Sequence, residues 1–168
     1  MKTTSILKKV IRVLDSSCKQ ELIKQGHSLT GALEKSIRGD VKNTKAEGYM
    51  LDYGFIVDKG VKSNKIPFNG TGKSGAKSSK YITSLINYFK IKGLSEAEAK
   101  KAAFATAYVQ KKEGMSTKSS SRFSKNNKRQ NFLDSALTDS EPKVDKIILS
   151  GIEEIFDKEF NKQKSEII

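Results

Sequence analysis

Apolar residues recur at three- and four-residue steps through most of this chain, and two long acid-free segments break the rhythm. This switching between helical period and no period limits the fold more than any other feature. Ile6, Leu7, Val10, Ile11, Leu14, Cys18 and Leu22 trace one face of an amphipathic helix over 4–25. Gly26 interrupts it, and Leu29, Ala32, Leu33 and Ile37 resume the period in a shorter helix, with Ser28 or Thr30 as N-cap. The period then changes to two. Tyr49, Leu51, Tyr53, Phe55 and Val57 alternate with the residues between them, which predicts a β-strand, paired with a strand around 38–44 through a turn at Lys45-Ala46-Glu47-Gly48.

From Gly60 to Ser79 no period is present, and a long loop is expected. Ile82, Leu85, Ile86 and Phe89 form the stripe of another helix ended by Gly93. Ser95-Glu96-Ala97-Glu98 is a capping box that opens a helix running to about 112. Its alanines (Ala99, Ala102, Ala103, Ala107) suit close packing on a neighbour, with Phe104 and Tyr108 expected to fill gaps. Residues 115–129 read as a second structureless loop. A short helix at 130–138 and, past Pro142, a longer one over about 142–162 complete the chain. The stripe of that last helix (Val144, Ile147, Ile148, Ile152, Ile155, Phe156, Phe160) either packs on the subunit's own core or docks on a neighbour. The expected fold class is α+β: helices around a small antiparallel sheet or hairpin, with two long basic loops. At 168 residues the chain suits a single domain, 1–168.

The net charge of +13 is concentrated. Residues 59–80 carry six lysines and no carboxylate; residues 111–129 carry seven basic side chains against Glu113. Such segments suit contact with phosphate or an acidic protein surface. The candidate contact residues are Lys59, Lys62, Lys65, Lys73, Lys77, Lys80, Lys118, Arg122, Lys125, Lys128 and Arg129.

Catalytic readings fail on residue types. Gly70-Thr71-Gly72-Lys73-Ser74 resembles a phosphate-binding loop, but Pro67 stands where its first glycine belongs, and proline has no amide hydrogen and a fixed φ. Asp40-Val41-Lys42 matches half of a metal-dependent nuclease core, yet the upstream carboxylate, Asp15, sits in a helix and Asp52 and Asp58 follow on the wrong side. His27 is the only histidine and Cys18 the only cysteine, so neither a triad, a histidine-paired metal site nor an internal disulfide can be built. Cys18 reads as a small core residue, His27 as a surface or capping side chain, and Glu153 and Glu154 as solvent-facing. The expectation is a non-enzyme with no cofactor and no metal. Lys8, Lys9 and Arg12 interrupt the first apolar run, and no apolar segment approaches about 20 residues, so a soluble intracellular chain without membrane contact is expected.

Several stretches together resemble a known family. They are LTGALEKSI at 29–37, YMLDYGFIVDKGV at 49–61 with IPF at 66–68, KYITSLINYFKIKGL at 80–94, AFATAYVQKKEGMST at 103–117 and RFSKNNKRQNFLDSAL at 122–137. Their order is similar to that of the small neck and tail-completion proteins of tailed bacteriophages, grouped with the lambdoid minor tail component family. The resemblance covers about 26–137. It implies a structural virion protein that forms a homo-oligomeric ring at the head–tail junction and adjoins portal, connector or tail proteins, with host cytoplasm as its place during assembly. On it, the GTGKS stretch is a connector loop that orders on assembly, and contact with packaged DNA is open to the basic loops. The alternative of another class is a free nucleic-acid-binding protein whose basic loops meet phosphates without sequence preference; aromatic stacking would be thin, since Phe123 alone interrupts the second loop.

Overall fold

The computed structural model describes residues 3–69 and 79–166. The fold is α+β, mostly helical with one two-stranded antiparallel sheet. The elements in chain order are α1 (Thr3–Lys24), α2 (Ala32–Ser36), β1 (Arg38–Lys42), β2 (Lys45–Tyr49), α3 (Tyr53–Lys59), α4 (Lys80–Ile91), α5 (Glu96–Glu113) and α6 (Phe132–Glu166). They form two compact units, one from 1–58 with 123–168 and one from 59–122.

In the first unit α1 buries Ile6, Val10, Cys18 and Leu22, the stripe legible in the sequence. Gly26 ends α1 at φ 72, with its N–H on the Ile23 carbonyl (2.9 Å) and the His27 N–H on that of Leu22 (3.1 Å). That pair of bonds is a left-handed helix stop. No side chain fits at Gly26, because a Cβ there would lie 2.5 Å from the Phe123 carbonyl oxygen. Cys18 and Leu22 meet Leu33 and Ile37 from the α2 segment and Phe132 and Ala136 from α6, with Met50, Val57 and Leu133 at the margin.

The hairpin differs from expectation. Arg38 pairs with Tyr49 and Lys42 with Lys45, so the turn is Asn43-Thr44 and β2 ends where the expected strand was to begin. Asn43 takes φ 54, a conformation asparagine tolerates and a two-residue hairpin loop needs. Residues 53–59 are helical instead of extended. Gly54 and Asp58, one turn apart, are the buried positions of α3, and Gly54 is closely packed: a Cβ there would meet the Met50 sulfur at 2.6 Å and Leu33 Cδ1 at 3.0 Å. The alternation of large residues there concealed a turn of helix whose inward face has little side chain.

Two further boundaries shift. The N-cap of α2 is Gly31 at φ 70, while Thr30 Oγ1 only accepts from the Ala32 N–H (3.4 Å) and Ser28 Oγ donates to Glu34 (2.8 Å). Helix α6 is continuous through Pro142. Proline removes one backbone bond, to the carbonyl of Thr138, and both residues are exposed, so the freed carbonyl is not buried without a partner. The start of α6 is capped from a distance: buried Asp58 accepts from the Leu133 N–H through Oδ1 (2.9 Å) and from the Asn131 N–H through its carbonyl (2.7 Å).

In the second unit α4 and α5 form a hairpin. Ile82 and Ile86 pack on Ala99, Ala103 and Ala107, all buried, with Phe68, Tyr81, Leu85, Phe89 and Leu94 around them. The expected capping box is present: the Glu98 carboxylate accepts from the N–H (3.0 Å) and hydroxyl (2.6 Å) of Ser95, which holds its pKa below the ordinary value. The segments read as structureless carry order of their own. Val61 and Met115 exchange both backbone bonds at 2.8 Å, residues Ser63–Lys65 form a 3-10 turn, and Ile66 is buried. A second 3-10 turn spans Lys118–Phe123, where Ser120 Oγ donates to the Thr117 carbonyl (2.6 Å) and Glu113 accepts from the Lys118 N–H (2.8 Å). Single anchors and serine-to-backbone bonds leave no period in a sequence.

Candidate functional site

The basic candidates divide between the two units. Lys59 in the last turn of α3, Lys62 just before the first 3-10 turn and Lys65 at its end, Lys80 opening α4, and Lys118 and Arg122 in the second 3-10 turn belong to the 59–122 unit, and all are exposed. Lys125, Lys128 and Arg129 belong to the other unit. Lys73, Lys77 and the expected GTGKS connector loop lie outside the described residues. The 59–122 unit holds fourteen Lys and Arg against three carboxylates, so it carries +11 of the net +13.

Arg129 has a structural role the sequence did not suggest. Its guanidinium donates from one nitrogen to the carbonyls of Gln25 (2.7 Å) and Gly26 (3.1 Å), at the end of α1. These carbonyls have no partner within the helix, so the arginine satisfies them and pins the segment before α6. Around it, buried Glu21 accepts from Gln25 Nε2 (3.1 Å) and Asn126 Nδ2 (2.6 Å), Gln25 Nε2 also donates to the Gln130 carbonyl (3.2 Å), and the Lys125 N–H donates to that of Lys24 (2.7 Å).

His27 belongs to this network. Half-buried, it donates from Nε2 to the Arg129 carbonyl (3.2 Å). Burial first, and then the Arg129 charge, push its pKa down to about 4, so at neutral pH it is an uncharged strut. The expected surface or capping role becomes a structural one. Cys18 is a core residue, and burial raises its thiol pKa. Asp15 lies in helix α1, as expected, and reaches β1 from there: its Oδ2 accepts from the Gly39 N–H (2.8 Å), while Asp40 accepts from the Val41 N–H (2.8 Å). Both carboxylates hold backbone. Among the described residues no group of three or more His, Cys, Asp or Glu side chains is placed to hold a metal ion, and no helix is long and apolar enough to cross a membrane. A polar cleft between α1 and α6 is lined by Ser17, Gln20, Glu21, Lys24, Asp139 and Lys143, a mixed set with no preferred charge.

The larger feature is apolar. In α6 the stripe splits in two: Val144, Ile147, Ile148 and Ile155 are half-buried and Gly151 is buried against Ile6, while Leu149 (62% exposed), Ile152 (55%), Phe156 (69%) and Phe160 (59%) face outward. Phe156 and Phe160 stack with centroids 6.4 Å apart. In α5 the small residues face inward and the large ones outward, so Tyr108 (53%) fills no core gap, and Phe104 (46%) meets only Phe68 at the core margin, with centroids 6.4 Å apart. The Lys112 ammonium lies over the Tyr108 ring, 4.5 Å from its centroid. A third exposed group follows the hairpin: Tyr49, Leu51, Tyr53, Phe55 and Ile56.

Comparison with protein-family models, with characterised proteins and with solved structures finds no match.

Proposed function

We propose that this chain is a non-enzymatic structural subunit of a tailed bacteriophage, forming a ring at the head–tail junction by subunit–subunit packing. The observation that carries the reading is the outward row Leu149, Ile152, Phe156 and Phe160 on α6. Contiguous apolar surface of this kind marks contact sites, and burying each such side chain in an interface contributes about 1.5–3 kcal/mol. The resemblance over 26–137 to neck and tail-completion proteins supplies the setting, a virion with portal, connector or tail proteins beside the ring. Locating the subunit by electron microscopy of an intact particle tests the reading. A ring of this chain between head and tail is the expected result; its presence only in host extracts, never in particles, overturns it.

A second reading has one specific observation in its favour, the +11 charge of the 59–122 unit. A free nucleic-acid binder would use these lysines on phosphates, with affinity falling steeply as salt rises. Titration of duplex DNA at two salt concentrations separates this reading from the first.

A further inference from the structure

We propose that the outward face of α6 docks on the outward face of α5 of a second copy of the chain, giving a head-to-tail contact. The inference deepens the reading of the chain as a self-assembling subunit and rests on it.

On α6 the donor face runs from Leu149 to Phe160, with Ile152 and Phe156 between them one turn apart. Glu153 lies one turn beyond Leu149 and Glu159 three residues beyond Phe156, so carboxylates rim the apolar row on both sides. The cation in this stretch, Lys158, is seven residues from Gly151 and shares the face turned to α1. All residues from Phe156 to Lys164 are exposed, so none of these side chains is buried by its own unit. Helix turns without tertiary support are marginal in water, and a partner supplies that support.

The face on α5 matches it in length and is opposite in charge. Lys101, Phe104, Tyr108 and Lys112 succeed one another at three- and four-residue steps and are all exposed. Between Lys100 and Lys112 the helix has four lysines and no carboxylate. Leu149 to Phe160 and Lys101 to Lys112 each cover eleven residue steps, about 16 Å of helix. An aromatic row with lysines at its ends thus meets an apolar row with glutamates at its rims. The exposed residues at 49–56 offer no such match, since Asp52 lies within them and Glu47 and Lys45 beside them. A contact that uses different surfaces on the two copies repeats from copy to copy, and closes into a ring when its rotation allows.

The test uses the full chain. Copies carrying Ile152→Cys are mixed with tagged copies carrying Tyr108→Cys; the native Cys18 is buried. A disulfide joining the two kinds of copy, and absent from either alone, is the expected product. As a second measurement on exposed positions, Glu153→Lys with Glu159→Lys, or Lys101→Glu with Lys112→Glu, should weaken self-association about tenfold or more, and the reversals combined should restore it. Self-association that ignores every reversal and yields no mixed disulfide overturns the pairing while leaving a self-assembling subunit standing. A disulfide within a monomer carrying both cysteines, or between two Ile152→Cys copies, likewise overturns it. A wild-type chain that stays monomeric at every concentration reached, alone and in particle extracts, removes the assembly reading and the pairing with it.

Discussion

Replacing Gly151 by alanine sets two opposed effects against each other at the crossing of α1 and α6. Glycine inside a helix costs about 0.8–1.0 kcal/mol relative to alanine, so helix propensity alone predicts stabilisation. The structure predicts the reverse. A Cβ at Gly151 would lie 2.6 Å from both Cδ1 and Cγ1 of Ile6 and 3.3 Å from its Cγ2. Ile6 is 5% exposed, and two of these atoms sit near its backbone, so rotation of one terminal methyl does not clear the space. Overpacking of this kind costs about 1–3 kcal/mol, which exceeds the propensity gain at most of its range. The expected net loss is roughly 1 kcal/mol for Gly151→Ala, rising above about 3 kcal/mol for Gly151→Leu, which must push the helices apart. Urea unfolding followed by circular dichroism gives both values. Ile6→Ala should be less damaging in the Gly151→Ala background than in the wild type by about 1 kcal/mol, the signature of two residues competing for one volume. A Gly151→Ala chain more stable than wild type by the full propensity difference would refute the close crossing.

Three other perturbations test the first unit. Arg129→Ala should cost about 2–3 kcal/mol in the same assay by leaving the Gln25 and Gly26 carbonyls without their charged donor, while Lys128→Ala, at an exposed position, stays within about 0.5 kcal/mol; equal small effects would return Arg129 to the pool of surface contacts. Asp58→Ala should cost about 1–2 kcal/mol and expose the Leu133 amide to faster hydrogen exchange, because Asp58 Oδ1 caps α6 there. Lowering the pH should destabilise the fold through His27, whose folded pKa of about 4 lies below its ordinary 6.5. The unfolded chain takes up the proton first, so this contribution is complete above pH 6.5 and is lost on descent toward about 4. The full difference is roughly 3 kcal/mol, reduced to about 1–2 kcal/mol because the ring is partly exposed. His27→Gln should flatten the stability profile across that window; an unchanged slope would exclude His27 as its source.

The parts of the fold legible in the sequence are those where a repeating pattern and the local chemistry agree. The stripe of α1, the alanine face of α5 and the Ser95–Glu98 cap each combine period with a terminator or cap, and each is present. Misplaced elements share a different cause. The hairpin turn depends on one asparagine at positive φ, and α3 depends on Gly54 making room for Met50 and Leu33. Both are properties of a single backbone position or of a distant neighbour, which a periodicity argument does not register. The network of Glu21, Gln25, Asn126 and Arg129 joins the end of α1 to residues about a hundred positions away. Arginine in a basic loop carries no mark that tells a backbone staple from a phosphate contact until the carbonyls opposite it are known.

Helix α5 shows why the candidate surface escaped a reading of amphipathicity. Amphipathicity places large apolar residues in the interior because burial of area drives folding. Here the interior face is Ala99, Ala103 and Ala107, and the volume between the helices is filled from the other side by Ile82 and Ile86 of α4. Small residues at four-residue spacing let two backbones approach, so the core of this unit is complete without Phe104 and Tyr108. Tyr108 is therefore surplus to the core of the unit that carries it, Phe104 reaches only the margin of that core through Phe68 (centroids 6.4 Å apart), and Phe156 and Phe160 lie on the far side of α6 from the residue that meets Ile6. Both faces lie largely outside the buried core of their own unit, yet each sets apolar side chains in a row along one side of a helix. Folding of the single unit gives no physical reason for that order. The proposed docking on a second copy supplies one, and the opposite charges that border the two rows are what that proposal rests on.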